Sequence, residues 1–404
     1  MQSSSSISVA VLDAPGLSDA VADDALHRRE TASDRPGVAQ PVPKRPVPEQ
    51  PWNRIFVGML VLFALLLGAW EWRWRDFGVR PSINSTDGLW AIQRRRIDQG
   101  EGNATVIVAS SRLFFDLQLD VWEKLDGTRP IQLAFEGTTP LPMLEDLAAD
   151  PKFTGRILLG IAPEVFFGAY GRHGKAPKYA RDESPSQRIG QWLSMHLVDP
   201  NLAFYDPDFA LPAVLKRLPW PDREGAPTRL DVRKLSVTQA DRNTHMWDKV
   251  ENDADYRALM RRVWEQNFTP RPDGPKPEDI AKKRDDQIER AAKAITTLRA
   301  RGVKVLLVRE PSGGPYLEFD ERLFPRATSW DVLVAKTGVP GIHFQDYPEL
   351  NREWNLPEWS HLSYEDAKKY TAALHAVVVR DFWRPEAVTP VAASGVPQSP
   401  PPTP

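Results

Sequence analysis

The stretch TVIVASSRLFFD, residues 105–116, joins a β-branched run to two serines and an arginine. Residues 105–109 favour a strand buried on both faces, because β-branched side chains pack well in a sheet covered by helices. A helical pattern then starts near Asp116. Ligands of open α/β sheets bind just beyond the carboxyl ends of the strands, where Ser110 and Ser111 are expected. Serines at such turns also cap helices, so this stretch alone leaves both roles open.

A second polar group lies near the end of the chain, where Glu358 precedes His361 on a loop leading into a predicted helix at 364–382. A carboxylate at this spacing can hold an imidazole in one tautomer, which leaves the other ring nitrogen free to act as a base. A serine nucleophile needs such a base, because its hydroxyl is hardly ionised at neutral pH. The two groups together allow a serine nucleophile with a histidine base.

These two blocks resemble the first and last blocks of SGNH (GDSL-type) hydrolases, which usually read G-D-S or G-S-S-R early and D-x-x-H late. Here they read ASSR at 109–112 and EWSH at 358–361. The resemblance implies that Ser111, in the third position of the first block, is the nucleophile. It also implies that His361 is the base and that Glu358 orients it. Glutamate in place of aspartate is a mild departure, since related α/β folds use both.

The middle blocks resemble the family less closely. Residues 131–139, IQLAFEGTT, resemble its second strand and imply that the backbone N–H groups of Gly137 and Ser111 form the oxyanion hole. Residues 156–164, RILLGIAPE, fall where the family carries G-x-N, and Ala162 replaces the asparagine. The loss of one such donor can lower the rate by about two to three orders of magnitude.

Composition limits the class of protein. The 404 residues allow one large domain or two smaller ones plus tails. A formal net charge of −2 argues against nucleic acid as an electrostatic partner. The absence of cysteine excludes disulfides and thiolate metal sites, and the histidines lack metal-motif spacing with carboxylates. No metal or cofactor is therefore expected.

An apolar segment near the beginning predicts a membrane anchor. Residues 55–70, IFVGMLVLFALLLGAW, carry no charge, and tryptophans at 52, 70, 72 and 74 resemble an aromatic belt. We predict a single transmembrane helix at 52–74. A cleaved signal peptide would need an unusually long leader, and a buried core helix fits the tryptophan belt poorly. Basic residues are nearly balanced on the two sides, so charge does not orient the span.

Alternating strand and helix patterns predict an α/β domain with a parallel sheet over residues 78–385. The resemblance implies a three-layer α/β/α SGNH-like fold. Residues 169–276 form an expected insertion, which either shapes a cleft or partner surface or is a helical cap that adds only stability. Tails at 1–51 and 387–404 have a composition typical of disorder. Strands are predicted at 105–109, 131–139, 156–164, 303–308 and 341–344, and helices at 87–99, 116–125, 141–148, 186–198, 245–268, 277–301, 330–337 and 364–382.

An anchored domain of this kind resembles SGNH-like proteins that work with membrane-bound O-acyltransferases on extracellular polysaccharides. The resemblance implies an inner-membrane protein with its large domain outside the cytoplasm, a polysaccharide substrate and an acyl-enzyme at Ser111. Arg112 and Arg309 are candidate substrate-binding residues. The sequence does not separate transferase from esterase. The alternative is a binding or assembly protein for an envelope polysaccharide complex with little or no catalytic activity, which Ala162 favours.

Overall fold

The computed structural model describes residues 50–169, 174–218, 230–269 and 274–383. Both predicted tails lie outside these residues, apart from Gln50 and Pro51. The chain divides into two compact units, one ending at Ala64 and the other beginning at Leu65.

A parallel sheet of five strands organises the second unit in the described part of the chain. Its strand order is β2-β1-β3-β6-β7, and every adjacent pair runs parallel. A two-stranded antiparallel hairpin, β4–β5, lies outside this sheet. The predicted class, α/β with a parallel sheet, is confirmed. The strands are β1 (Thr105–Val108), β2 (Ile131–Gln132), β3 (Arg156–Gly160), β4 (Ser236–Thr238), β5 (Thr244–Met246), β6 (Lys304–Arg309) and β7 (Gly341–His343).

Helices cover both faces of the sheet, as the β-branched run of β1 requires. Ile107 belongs to one buried cluster, while Val106 and Val108 belong to another, because alternate side chains of a strand point to opposite faces. The described α-helices are α1 (Trp52–Asp76), α2 (Asp87–Arg96), α3 (Ser111–Asp116), α4 (Leu119–Asp126), α5 (Leu141–Ala149), α6 (Pro163–Phe166), α7 (Ala176–Asp182), α8 (Pro185–Leu193), α9 (Leu211–Lys216), α10 (Asp248–Asn252), α11 (Ala254–Phe268), α12 (Pro277–Ala300), α13 (Gly314–Leu323), α14 (Trp330–Thr337) and α15 (Tyr364–Val378). Residues of α3, α4 and α15 enter the Ile107 cluster, and residues of α2, α5, α12 and α14 enter the other.

Four local predictions were wrong. The third strand ends at Gly160 rather than at Glu164, because a helix begins at Pro163. A helix starts at Ser111 rather than near Asp116. The second strand covers only Ile131–Gln132, although Phe135 N still donates to Ala109 O at 3.1 Å beyond it. Residues 245–268 do not form one helix, because β5 occupies their beginning.

Helix α1 is long and apolar enough to cross a membrane. It has 25 residues and a mean hydropathy of 2.0 over its most apolar window, none of which is buried. Its exposed apolar side chains would be costly in water and are suited to lipid. The expectation of one candidate span is confirmed by length and composition.

Candidate functional site

The two serines directly follow the end of β1, the strand at which the strand order of the sheet reverses. β2 follows β1 in the chain but lies on one side of it, whereas β3 lies on the other. A crevice forms at the carboxyl ends of the strands at such a switch point. Ser110 precedes α3 in extended conformation and is buried, while Ser111 is the first residue of α3 and is half-buried.

The Glu358–His361 pair has the geometry expected of a base and its orienting acid. Glu358 Oε1 lies 2.7 Å from His361 Nδ1 and also accepts the backbone N–H of His361 at 2.8 Å. Both side chains are buried. With its proton on Nδ1, His361 keeps Nε2 as the free acceptor, and no described residue is hydrogen-bonded to this atom.

A tryptophan of the insertion donates a further hydrogen bond to the Glu358 carboxylate. Trp264 Nε1, on α11, donates to Glu358 Oε2 at 2.5 Å. The carboxylate therefore accepts three N–H bonds, two from His361 and one from Trp264. Sequence reasoning missed Trp264, because nothing in the local sequence connects residues 94 positions apart.

Helix α3 meets the histidine through an aromatic contact. The rings of Phe115 and His361 have centroids 4.4 Å apart and an interplanar angle of 31°. Ser111 precedes Phe115 by four residues, and residues at this spacing share a helix face. The side of α3 that carries Ser111 therefore faces His361, although Ser111 makes no hydrogen bond to it. Catalytic hydrogen bonds often tighten only when substrate is bound.

Further hydrogen bonds join α3 to the loop that carries His361. Leu362 N donates to Asp116 Oδ1 at 3.0 Å, and Arg112 Nε donates to Ser360 Oγ at 3.3 Å. The sequence blocks around Ser111 and His361 are thus brought together, although they are far apart in the chain.

The loop itself is strained at one residue. Trp359 has a φ of +72°, a conformation that a bulky residue rarely adopts. Its carbonyl accepts Gly313 N at 2.9 Å, and the Arg261 guanidinium lies 4.9 Å from its ring centroid. Arg261 Nε also donates to Pro357 O at 2.9 Å. Arg261 of α11 therefore contacts the loop at Trp359 and at Pro357, in addition to the hydrogen bond from Trp264 to Glu358.

The two candidate substrate-binding arginines lie inside the protein. Arg112 pairs with Asp320 at 2.9 Å and Glu164 at 3.1 Å, and its side chain is 1% exposed. Arg309 pairs with Asp320 at 3.0 Å and is 4% exposed. Burial lowers the pKa of Arg112, but attraction to the two carboxylates outweighs it and raises that pKa. Because carboxylates of the protein already pair with both guanidinium groups, an internal ion-pair network accounts for both.

Two buried carboxyl groups near this network, those of Glu310 and Asp116, have oxygens without a hydrogen-bond partner among the described residues. Neither oxygen of Glu310 has a partner among the described residues, nor does Asp116 Oδ2. Burial raises the pKa of Glu310 to about 7 and that of Asp116 well above its ordinary value. Glu310 lies directly after β6 and against Gly160 of β3. Its place after a strand was visible in the sequence, but its burial was not.

Gly137 has the positive φ, +56°, that favours glycine and lines a cleft of about 820 Å³. The cleft runs along the insertion and includes Glu136, Lys234 and Ser236. Neither Ser111 nor His361 lines it. Gly137 therefore contributes to the wall of this cleft, and Ser111 and His361 do not.

Ala162 lies where the resemblance placed an oxyanion donor. It is buried and precedes the short helix α6, and its methyl group offers no donor. Two residues later, Glu164 accepts the Tyr316 hydroxyl at 2.9 Å. Burial raises the pKa of Glu164 to about 8.

No protein-family model, curated protein or solved structure matches this chain.

Proposed function

We propose that the protein is a membrane-anchored, SGNH-like serine acyltransferase or esterase that forms an acyl-enzyme at Ser111. The observation that carries the proposal is the buried Glu358–His361 pair, whose imidazole packs against Phe115 of α3, the helix that begins at Ser111. Strand-end position, base and orienting acid occur together at the switch point of the sheet. This combination is what nucleophilic acyl transfer requires.

The chemistry follows from the hydrogen bonds. His361 Nε2 takes the proton of Ser111 Oγ as the oxygen attacks the carbonyl carbon of an acyl ester. The tetrahedral intermediate collapses, the bond to the donor alkoxide breaks, and His361 returns the proton to that leaving group. An acceptor hydroxyl, or water, then gives its proton to His361 and attacks the acyl-enzyme. The new ester or acid leaves, and Ser111 recovers its proton.

Electrostatic stabilisation of the intermediate is assigned to backbone groups. The N–H of Ser111, at the beginning of α3, and that of Gly137 are the proposed donors. No asparagine side chain adds a third donor, because the family position is Ala162. We therefore expect slower turnover than in an enzyme that carries this asparagine, by about two to three orders of magnitude.

The proposed location is the inner membrane, with the large domain outside the cytoplasm. The candidate span α1 supports a membrane location, and the inner membrane and the sidedness rest on the resemblance alone. The proposed acceptor is an extracytoplasmic polysaccharide, and a membrane-bound O-acyltransferase is the proposed source of acyl groups. An acetyl group is the simplest acyl unit for a first test.

The test uses the full chain in detergent with p-nitrophenyl acetate, followed by turnover and by intact mass. We expect a stoichiometric acetyl adduct that is lost in Ser111→Ala and does not form in His361→Ala. Ser110→Ala is the matched control, because Ser110 Oγ is buried and has no hydrogen-bond partner among the described residues. It should retain both adduct and turnover. A wild-type protein without either would contradict the proposal.

The cleft supports a second function, that of a polysaccharide-binding or assembly protein. It is large, and neither Ser111 nor His361 lines it. This function predicts that Ser111→Ala leaves polysaccharide binding and modification in cells unchanged. It also predicts that Lys216→Ala, at an exposed lysine of the cleft wall, weakens binding. The opposite pattern, with Ser111→Ala abolishing modification, favours the enzyme.

A further inference from the structure

The insertion contains a helix whose apolar side points away from the protein. Helix α8 continues into a π-helical turn, Ser194–Val198. Four of its large apolar side chains are 41 to 60% exposed, and their three- or four-residue spacing places them on one face. This exposed apolar stripe consists of Ile189, Trp192, Leu193 and Leu197.

The polar side of the same segment faces the domain. Gln191 accepts the Thr86 hydroxyl at 2.7 Å, and its side chain packs against Gly88, where a Cβ would lie 3.1 Å from Gln191 Cδ. Ser194 Oγ donates to Asp199 Oδ1 at 2.9 Å. A surface helix of a globular domain normally buries its apolar side. The orientation here is the reverse, so the apolar stripe is available to a surrounding apolar medium.

The end of α1 is bound to the chain that directly follows this segment. The Glu71 carboxylate accepts the backbone N–H groups of Ala203 at 2.9 Å and Phe204 at 3.1 Å. Arg75 Nη2 donates to Asn201 O at 2.8 Å. Three hydrogen bonds therefore fix this part of the insertion to the last turns of the candidate span.

The stripe consequently lies close to the place where α1 leaves the bilayer. Leu197 precedes Asn201 by four residues, which span at most about 15 Å of chain. Trp72 is 67% exposed on α1, and tryptophan favours the membrane–water interface. Arg188, on α8, pairs with the buried Glu183 at 3.0 Å and keeps a side chain that is 55% exposed.

We propose that the exposed apolar stripe lies in the interface of the bilayer that α1 spans. α1 and α8 would then form two membrane contacts and hold the domain at a fixed orientation to the lipid surface. An amphipathic helix that lies in the membrane plane buries its apolar face about 5–10 Å into the headgroup boundary. The inference depends on α1 as a span and is independent of the chemistry at Ser111.

The absence of cysteine from the sequence allows site-specific labelling of the full chain. We would attach an environment-sensitive fluorophore to Leu193→Cys or Leu197→Cys and reconstitute each protein in phosphatidylcholine–phosphatidylglycerol vesicles. Spin-labelled phosphatidylcholine serves as quencher. Both probes should be quenched and their emission shifted to the blue. A probe at Leu125→Cys, an exposed leucine on α4, is the matched control and should remain unquenched.

Dilution of the protein in lipid distinguishes the bilayer from a second copy of the chain as the partner of the stripe. Quenching that persists at a low protein-to-lipid ratio supports the bilayer, whereas a blue-shifted but unquenched probe whose emission returns to that of water on dilution assigns the stripe to a second copy. A probe that is shielded from water but not reached by the lipid quencher contradicts the proposal, as does a probe that remains in water. The double variant Ile189→Ser, Trp192→Ser should lose most of the quenching at Leu197→Cys.

Discussion

Glu358 is held by more donors than its own loop supplies. Two of its three N–H bonds come from His361, and the third comes from Trp264 of the insertion. The third bond fixes the carboxylate oxygen that does not face the imidazole. The insertion therefore contributes a positioning residue to the proposed site, besides any role in a cleft.

Replacement of Trp264 tests this residue-scale role. Trp264→Phe keeps the aromatic ring but removes the indole donor, so Glu358 loses one hydrogen bond of the charged type, about 1.5–3 kcal/mol. We expect kcat for p-nitrophenyl acetate to fall by about tenfold or more with KM little changed, and the acidic limb of the pH–rate profile to move.

A matched change separates this effect from general loss of stability. Trp90→Phe removes an indole N–H that donates to Leu133 O at 3.0 Å in the core, away from Glu358. It should cost stability but leave kcat and the pH profile unchanged. If both variants lower kcat equally, Trp264 has no specific role.

The residues around Ser111 were predictable only in part. The sequence predicts that Ser111 follows a buried strand and that Glu358 lies close to His361, because only three positions separate them. It does not predict the inward orientation of Arg112 and Arg309, because an arginine after a strand can point either into the protein or into solvent. Their buried partner Asp320 lies on α13, a helix that the sequence analysis did not predict.

At the scale of elements, the end of β3 leaves no room for a side chain at Gly160. A Cβ there would lie 2.6 Å from Ala109 Cβ and 3.0 Å from Leu113 Cβ, besides a still closer approach to Glu310. Residues that follow β1, on α3 and after β6 therefore fill the space beside the carboxyl end of β3, close in sequence to Ser111.

Gly160→Ala should therefore destabilise the protein. Overpacking of a core costs about 1–3 kcal/mol, so we expect a lower free energy of unfolding and reduced turnover. Gly190→Ala, on α8, is the comparison, since no atom lies within 4 Å of its Cβ position. A helical glycine replaced by alanine in open space should gain up to about 1 kcal/mol. Chemical denaturation of the full chain in detergent measures both, and equal effects would contradict the packing account.

Long elements were predictable, whereas short ones were not. The periodic pattern of α12 and the β-branched runs of β1 and β6 gave correct types and nearly correct ends. β4 and β5 have only three residues each, too few for a periodic pattern. The helix start at Ser111 was missed because serine is treated as a cap, and here Ser110 occupies that position.

At the scale of the whole molecule, buried acids make stability depend on pH. The pKa of Glu310 rises from its ordinary value to about 7, because burial disfavours its charged form. Between about pH 4.5 and 7, the folded protein holds a proton that the unfolded chain has released. The unfolded state binds fewer protons, so the free energy of unfolding falls as pH rises through this window.

Glu310→Gln should flatten this dependence. The amide cannot ionise, so the variant should be more stable than the wild type above pH 7 and differ less near pH 4.5. Glu164 and Asp116, whose pKa values are also raised, should maintain a reduced slope. Thermal unfolding across this pH range is the measurement, with the exposed Glu278→Gln as control. An unchanged slope would mean that Glu310 titrates normally.

The whole-molecule organisation combines a candidate span, a parallel sheet and an insertion. The candidate span and the sheet were predictable, because both depend on long apolar runs. The tertiary role of the insertion was not, since it rests on contacts of Trp264 and Arg261 with a distant loop. The same insertion binds the end of α1, so it connects the candidate site to the candidate span.

The most direct measurement of the central claim is the position of the acyl group after a short reaction with p-nitrophenyl acetate and an acid quench. Ser110 and Ser111 lie in one tryptic peptide that ends at Arg112, so fragmentation between the two serines identifies the acetylated residue. The account predicts acetyl on Ser111 in the wild type and in Ser110→Ala, and none in His361→Ala. Acetyl on Ser110, on a lysine, or equally present without His361 would contradict it.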